Sequence, residues 1–293
     1  MLGRHHLGIT VGFFIPILAF GVYGAMINHI EYLYYSFCII FSASIGALLP
    51  DADSEGKSKL YYKYRAIYYL MILIYDIIVL FFNNQKIKEK LKIGYNIKKQ
   101  HRGILHTPIG VFLSSLLLTA IFSLIYITFS IYLGISIDFL IVLSIFIGLF
   151  FGQIMHLIED SFTVSGINWL FPFGNKIING KIYTFGKDGK VDIRPELYTW
   201  FYTVTGFAIL GIVMFFSNTL PSDKIFGIIG MGMVINTISL IGLYFISNSD
   251  RNLWLVDRKN WKRMQKSFKS KTNYKNLKKY NKSRKRRKSY KNK

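Results

Sequence analysis

The chain is poor in cysteine, proline and acidic residues. It has one cysteine, Cys38, so no intramolecular disulfide can form and nothing indicates an oxidising compartment. Only 6 of its 293 residues are proline, whereas 52% are hydrophobic, with 25 Phe and 20 Tyr, and the mean hydropathy is +0.32. This composition argues against a soluble globular domain and predicts a protein that spans a membrane several times.

Acidic residues are absent from the C-terminal segment 258–293, which holds 18 Lys or Arg. The remaining residues therefore hold 37 − 18 = 19 basic and 15 acidic side chains, a net charge of about +4 out of the total of +22. The low apolar content of the segment predicts a disordered basic tail. We therefore divide the chain into a membrane-embedded domain, 1–257, and a tail, 258–293.

Long apolar runs predict the membrane topology, because a helix needs roughly 20 residues to cross the hydrocarbon core. A further run at 66–82 is shorter and carries Asp76 near its middle, so we predict an interfacial or re-entrant segment there rather than a span. The fold class is thus all-α, a polytopic membrane helix bundle with about six spanning helices. The six runs cover 7–27, 33–49, 108–133, 139–158, 199–216 and 225–246.

The charges between the runs predict their orientation. The connections 28–32, 134–138 and 217–224 hold one basic residue, Lys224, whereas the other connections and the tail are basic. By the positive-inside rule, the three poorly charged connections face outward, and the N-terminus and the tail are cytoplasmic. The first run is longer than the core of a signal peptide, about 7–15 residues, so we predict that it is retained as a helix.

The segment 167–198 is the largest soluble-looking stretch between the predicted spans. Within it, residues 182–191 alternate in polarity around Asp188-Gly189, a pattern typical of a small β-hairpin. The hairpin could cover residues at the end of the preceding helix as a lid, or it could serve as a connecting loop.

Five of the six histidines lie in four short clusters at the ends of apolar runs. Ionisable groups beside hydrocarbon are costly and usually serve chemistry. His156 and Asp160 are four apart near a helix end, so both side chains project from one face and could bind one ion. The alternative is that a His and an Asp merely solvate the end of a helix.

Asp51 and Asp53 follow Pro50, which ends the preceding helix. In an extended segment both carboxylates would point the same way and could face one cation. The alternative is an exposed acidic turn.

His101, Arg102 and His106 precede Thr107-Pro108, a predicted N-cap and first helical position. An anion is favoured at such a helix start, and Arg102 could hold a phosphate or a developing oxyanion. The alternative is a pair of ordinary interfacial histidines.

The predicted topology brings the four clusters to one face of the membrane. Together they supply up to five imidazoles and three or four carboxylates, which is more than one tetrahedral zinc ion needs. Two metal ions that clamp an ester or phosphoester and activate water would use this number. The mixed nitrogen and oxygen ligands suit Zn²⁺, Mn²⁺ or Fe²⁺.

Over roughly residues 1–200 the chain resembles the YdjM-type family of predicted membrane-bound metal-dependent hydrolases of the bacterial inner membrane. The motifs that carry the resemblance are Arg4-His5-His6-Leu7-Gly8, 46–54 around Asp51 and Asp53, 101–107, and 152–167 followed by Phe171-Pro172-Phe173. The resemblance implies a metal site, and it implies a role outside the ligand set for Thr163. The implied ligands are His6, Asp51, Asp53, His101, His106, His156 and Asp160.

The leading hypothesis is therefore a hydrolase with a divalent metal centre, zinc above manganese or iron, with one or two ions at the cytoplasmic face. Asp53 or Asp160 would accept a proton when not bound to metal, and Arg102 would steady the leaving group. The alternative is a non-enzymatic scaffold whose tail binds anionic lipid headgroups or, less favourably, nucleic acid. A cation transporter ranks last, because the ionisable residues cluster at helix ends rather than at the midplane.

Overall fold

The computed structural model describes residues 2–54, 59–183 and 190–257, so the predicted tail lies outside the described residues. Most of the chain is helical, in agreement with the predicted all-α fold. Seven described helices are long and apolar enough to cross a membrane. They are α1 (Gly3–Met26), α2 (Ile30–Gly46) with its helical continuation to Asp53, α4 (Arg65–Asn83), α6 (Pro108–Leu133), α7 (Phe139–Ser161), α8 (Arg194–Phe216) and α9 (Ser222–Ser247).

Short helical elements connect the long ones at one end of the bundle. α3 (Lys59–Lys63) precedes α4, and α5 (Gln85–Leu91) follows it. Single 3-10 turns form there at Pro50–Asp53 and Ile104–His106, and a further one, Arg251–Trp254, belongs to a separate compact unit. We call the end of the bundle where α2 runs into Pro50–Asp53 and where α7 stops the motif end.

α1 lies inside the bundle and packs against α2, α7, α8 and α9. More than half of its span is buried, including Ile9, Phe14 and Ala19, which are at most 4% exposed. The first run is therefore a structural helix of the fold, as predicted.

α2 and α7 approach each other closely through glycines. A Cβ atom at Gly152 would collide with the backbone of Ala43, and one at Gly148 would collide with Ser42 and the carbonyl oxygen of Ile39. Gly148 and Gly152 lie four apart on one face of α7, the spacing that lets two membrane helices come into backbone contact. This contact fixes the end of α7 against the end of α2.

α4 begins at the motif end, and the chain that follows it returns there. Its first turn follows α3, and both helices contact the Pro50–Asp53 turn. Beyond its last turn, the Tyr95 hydroxyl donates a hydrogen bond to the Pro172 carbonyl, 2.9 Å away, in the connection that follows α7. α4 is one uninterrupted helix rather than a re-entrant hairpin, and it is the helix that raises the number of candidate spans from the predicted six to seven, so the interfacial placement of 66–82 stays a prediction.

The predicted helix start at Thr107-Pro108 is confirmed. The Thr107 hydroxyl accepts a hydrogen bond from the Gly110 amide, 3.1 Å away, and Pro108 occupies the first helical position, where its missing N–H costs nothing. This cap fixes the point at which the 3-10 turn Ile104–His106 enters α6.

Two small antiparallel pairs of strands complete the described fold. β1 (Ile167–Asn168) pairs with β2 (Ile177–Ile178), which confirms a small hairpin within 167–198. The predicted turn at Asp188-Gly189 lies outside the described residues. In a separate compact unit, β3 (Lys190–Asp192) pairs with β4 (Leu255–Asp257), so the backbone partner of Val191 is Val256 rather than a neighbour in the sequence.

Replacing Gly152 by alanine should push α2 away from α7, because the added methyl group meets the Ala43 backbone and not a flexible side chain. Overpacking of this kind costs about 1–3 kcal/mol, so we expect a lower midpoint of thermal unfolding in detergent. Gly230→Ala in α9 is the matched control, because no atom lies within 4 Å of the added Cβ. Equal midpoints for the two variants would contradict the proposed helix contact.

Candidate metal centre

The last turns of α7 place His156 and Asp160 on one face, as predicted from their spacing. The Nε2 atom of His156 lies 3.9 Å from Oδ2 of Asp160. Both side chains are buried, with His156 at 0% and Asp160 at 3% exposure. The carboxylate of Asp160 is the point on which the remaining ligand candidates converge.

His6 reaches the same carboxylate from the first turn of α1. Its Nε2 atom lies 3.6 Å from Oδ1 of Asp160, and its ring stacks on that of His156 with centroids 3.9 Å apart. Its neighbour His5 turns away and pairs with Glu196 at 3.1 Å. Of the N-terminal histidine pair, His6 alone therefore belongs to the centre.

His106 enters from the 3-10 turn before α6. Its Nε2 atom lies 3.9 Å from Oδ2 of Asp160, and its side chain is fully buried. His101 lies further out: its Nδ1 atom is 2.9 Å from Oδ1 of Asp53, and its side chain is 52% exposed. The centre therefore has a buried interior and an exposed rim.

Asp51 and Asp53 do not point the same way, so the expectation of an extended segment with parallel carboxylates is wrong. Pro50–Asp53 forms a 3-10 turn, in which residues two apart diverge around the helix axis. Asp51 faces His156, with 3.7 Å between Oδ1 and Nε2, whereas Asp53 faces His106 and His101.

Each of the three histidines around Asp160 has an oxygen beside its Nδ1 atom. Nδ1 of His156 donates to the Ala47 carbonyl at 2.8 Å, Nδ1 of His106 lies 3.0 Å from Oδ2 of Asp53, and Nδ1 of His6 lies 2.8 Å from Oε2 of Glu159. Since a carbonyl or a carboxylate can only accept, these contacts favour the proton on Nδ1 and a lone pair on Nε2. The His6–Glu159 contact is close but lacks hydrogen-bond alignment.

The three Nε2 atoms have no hydrogen-bond partner within the described parts of the chain, although all three are buried. A buried polar atom normally finds a partner, because leaving it unpaired costs roughly 1–3 kcal/mol. Three such atoms converge near one carboxylate, a pattern that a bound metal ion explains.

Asp53 organises the segment that carries His101 and His106. Its two oxygens accept from the Arg102 backbone amide at 2.9 Å and from the Nδ1 atoms of both histidines. Burial lowers the pKa of His106, but the adjacent Asp53 carboxylate outweighs burial, and the pKa of His106 lies above its usual value. Asp53 thus orients the imidazoles from outside the set that surrounds Asp160.

Arg102 balances the charge of Asp160. Its Nη2 atom lies 2.8 Å from Oδ2 of Asp160, and Nη1 donates to the Thr163 hydroxyl at 3.2 Å and to the Gly166 carbonyl at 2.8 Å. Its backbone φ of 61° falls in the left-handed region, which is unusual for a residue with a side chain. Thr163, implied by the family resemblance, therefore contacts Arg102 and also donates to the Asp160 carbonyl at 2.7 Å.

Glu159 is the residue that the sequence analysis missed. It lies three residues after His156, so helical spacing places it beside the centre, but its position next to Asp160 gave no reason to single it out. The structure buries its side chain completely against His6.

The donor atoms fit a metal ion. Ligands about 2.0–2.1 Å from a tetrahedral zinc ion lie roughly 3.4 Å apart, and the four separations of 3.6–3.9 Å around His156 and Asp160 need only small side-chain adjustments. Three groups have donor atoms within 4.8 Å of each other. They are His6, His156 and Asp160; Asp51, His106 and His156; and Asp53, His101 and His106.

Comparison with known proteins gives one match. The family model described as "YdjM inner membrane protein" matches residues 1–247 and so includes every residue of the centre. No curated protein and no solved structure shows a significant match to the chain.

Glu159→Leu should weaken metal binding about 10–100-fold, the usual effect of removing a carboxylate that orients a ligating histidine. Glu159→Gln, which retains one acceptor oxygen, should lose less. Competition with a chelating dye measures the apparent Kd. Glu31→Gln is the matched control, because Glu31 contacts an exposed histidine, His29, at 2.9 Å. Wild-type affinity in Glu159→Leu would contradict the assigned role.

Proposed function

The chain belongs to the YdjM inner membrane protein family, and on this premise we propose that it is a membrane-bound, metal-dependent hydrolase acting on esters or phosphoesters. The supporting observation is the convergence of three buried imidazoles on Asp160, each with Nδ1 beside an oxygen and Nε2 unpartnered within the described residues. Buried ionisable groups at membrane-helix ends are costly, and metal binding offsets that cost.

We assign the metal ligands as His6, His106, His156 and Asp160, with Asp51 completing the set. The mixture of imidazole and carboxylate favours zinc, and manganese or iron would also be accepted. Five ligands suffice for one ion or for two ions that share Asp160. When bound, such an ion supplies an activated water molecule at neutral pH and stabilises negative charge on the substrate.

The rim residues determine how a substrate reaches the centre. The side chain of Asp51 is 19% exposed, whereas the other four proposed ligands are almost fully buried. The side chain of Arg102, which is not a ligand, is 18% exposed. We propose that the scissile bond enters beside Asp51 and His101. Arg102 then has two roles, since it holds Asp160 and presents positive charge close to the developing oxyanion.

The contacts also favour a division of labour among the carboxylates. The two oxygens of Asp53 are engaged by the Arg102 amide and by two histidines, so Asp53 acts by orientation. A histidine fixed by a carboxylate through Nδ1 is suited to move a proton with its other nitrogen. We propose that His101, at the rim, protonates the leaving group, so that proton transfer is assigned to this histidine and not to Asp53 or Asp160, which were expected to accept a proton.

We propose that the motif end faces the cytoplasm. The connections at the opposite end, 28–32, 134–138 and 217–224, contain one basic residue, whereas those at the motif end are basic, which by the positive-inside rule favours a cytoplasmic location.

Metal content is the direct test of the proposal. Purified full-length protein should contain about one or two equivalents of zinc by elemental analysis, and chelation followed by zinc should remove and restore hydrolysis of bis-p-nitrophenyl phosphate. His156→Ala and Asp160→Asn should lose both properties, because each removes a central ligand. His29→Ala, which alters an exposed histidine far from the motifs in sequence, should keep both. Metal-free wild-type protein, or zinc retained in both ligand variants, would refute the centre.

The basic tail supports an additional binding role. We propose that 258–293 binds anionic headgroups, because 18 basic residues directly follow a membrane domain. The full-length protein, reconstituted beside a version ending at residue 257, should recruit anionic vesicles in a salt-sensitive manner that the shortened version lacks. Equal recruitment by both proteins would exclude the role.

A further inference from the structure

α4 has apolar residues on both of its faces. The inner face packs in the core next to the ends of α2 and α6, and its members, Met71, Ile74, Ile78 and Phe82, are at most 1% exposed. The outer face is just as apolar, yet no other described residue covers it. Its members are Tyr69, Leu73, Ile77, Leu80 and Phe81, with exposures of 45–70%.

Hydrocarbon is the occupant that suits this outer face. α4 packs on α6, and Leu116 and Leu124 of α6 belong to the exposed apolar surface of a helix long enough to span the membrane. The outer face of α4 therefore continues the lipid-facing surface of the bundle. A helix that is preceded and followed by segments at the motif end and that carries such a face suits an interfacial position.

The same helix borders the proposed active centre. The Tyr75 hydroxyl accepts a hydrogen bond from the Gln100 amide at 3.0 Å, and Asp76 forms an ion pair with Lys99. These contacts hold the chain along α4 directly before His101, which lies at the rim. The outer, apolar face of α4 lies on one side of the helix, and the candidate centre lies on the other. Only α4 and the chain directly before His101 separate the two.

The chain beside this rim is strongly basic. Between residues 84 and 102 there are seven Lys or Arg and one acid, Glu89. Basic residues at a membrane surface attract anionic headgroups. Apolar surface, positive charge and the proposed proton donor His101 therefore occur together within one stretch of chain.

We infer that the substrate is an anionic phospholipid of the surrounding membrane, whose acyl chains lie along the outer face of α4 while its phosphoester reaches the centre past Lys98 and His101. The inference rests on the proposed hydrolase function and names its substrate class. In the reaction, water attacks phosphorus, the bond from phosphorus to the leaving alcohol breaks, and His101 gives that alcohol its proton. A proton released by the attacking water then returns to His101 through solvent. The products are a phosphate monoester and an alcohol.

The position of α4 can be measured without any activity. In full-length protein carrying Cys38→Ser, Leu80→Cys and Lys90→Cys are each labelled with an environment-sensitive fluorophore and reconstituted with nitroxide-labelled lipids. Leu80 belongs to the outer face, and Lys90 is an exposed residue of α5. Quenching should be strong at residue 80 and weak at residue 90. Weak quenching at both positions, with residue 80 in water, would overturn the inference.

Substrate class is tested with matched substrates. Zinc-loaded protein in mixed micelles is given phosphatidylglycerol or its deacylated, water-soluble counterpart with the same phosphodiester. Binding energy from the acyl chains should raise kcat/KM for the lipid about tenfold or more. Leu73→Ser with Leu80→Ser should reduce that preference and leave zinc content unchanged. Ile238→Ser, on the exposed face of α9, is the matched control and should leave the preference unchanged.

The outcomes separate the two hypotheses. Protein that binds zinc and hydrolyses the deacylated compound as fast as the lipid overturns the substrate assignment and leaves the hydrolase intact. Equal hydrolysis of phosphatidylcholine and phosphatidylglycerol overturns the assigned preference for an anionic headgroup. Protein that binds no zinc and cleaves neither compound refutes the hydrolase and the substrate assignment together, while quenching still decides the position of α4.

Discussion

The buried carboxylate of Asp160 is the constraint on which the motif end depends. A charge removed from water costs several kcal/mol unless it is paired, and removing one partner of a buried pair leaves an uncompensated charge. Here Arg102 supplies the compensating positive charge at 2.8 Å, and three imidazoles surround the carboxylate. The left-handed backbone at Arg102 and the close approach of α2 to α7 are the local arrangements that this convergence requires.

The electrostatics of the site also explain its layered construction. Asp53 and Glu159 lie behind the imidazoles, and Asp160 lies in front of them, so each of His6 and His106 is placed between two carboxylates. Such an arrangement fixes the rings of both histidines in position. His156 differs, because a backbone carbonyl performs the orienting role. The rigidity of the centre thus depends on α2 as much as on α7.

Hydrophobic runs and charge counts in the sequence were enough to predict the helices and the meeting of four motifs at one end, whereas the interfacial placement of 66–82 stays a prediction. Residue type and spacing were also enough for His156 and Asp160, since a helix projects residues four apart from one face. The directions of Asp51 and Asp53 were not predictable in this way, because they depend on a 3-10 turn of four residues. Glu159 was missed because its partner, His6, lies on another helix and is 153 residues away in sequence.

The placement of His6 on the first helix has a consequence for how the protein is made. Membrane helices are inserted in order during synthesis, and the partners of His6 on α7 emerge only after five further helices, α2 to α6, have been produced. Until α7 is inserted, the His6 imidazole lies at the bilayer border without Glu159 and Asp160 and without the His156 ring on which it stacks. If the proposed centre binds a metal ion, loading would follow insertion of α7, and bound metal would report that the amino-terminal and central parts of the bundle have assembled.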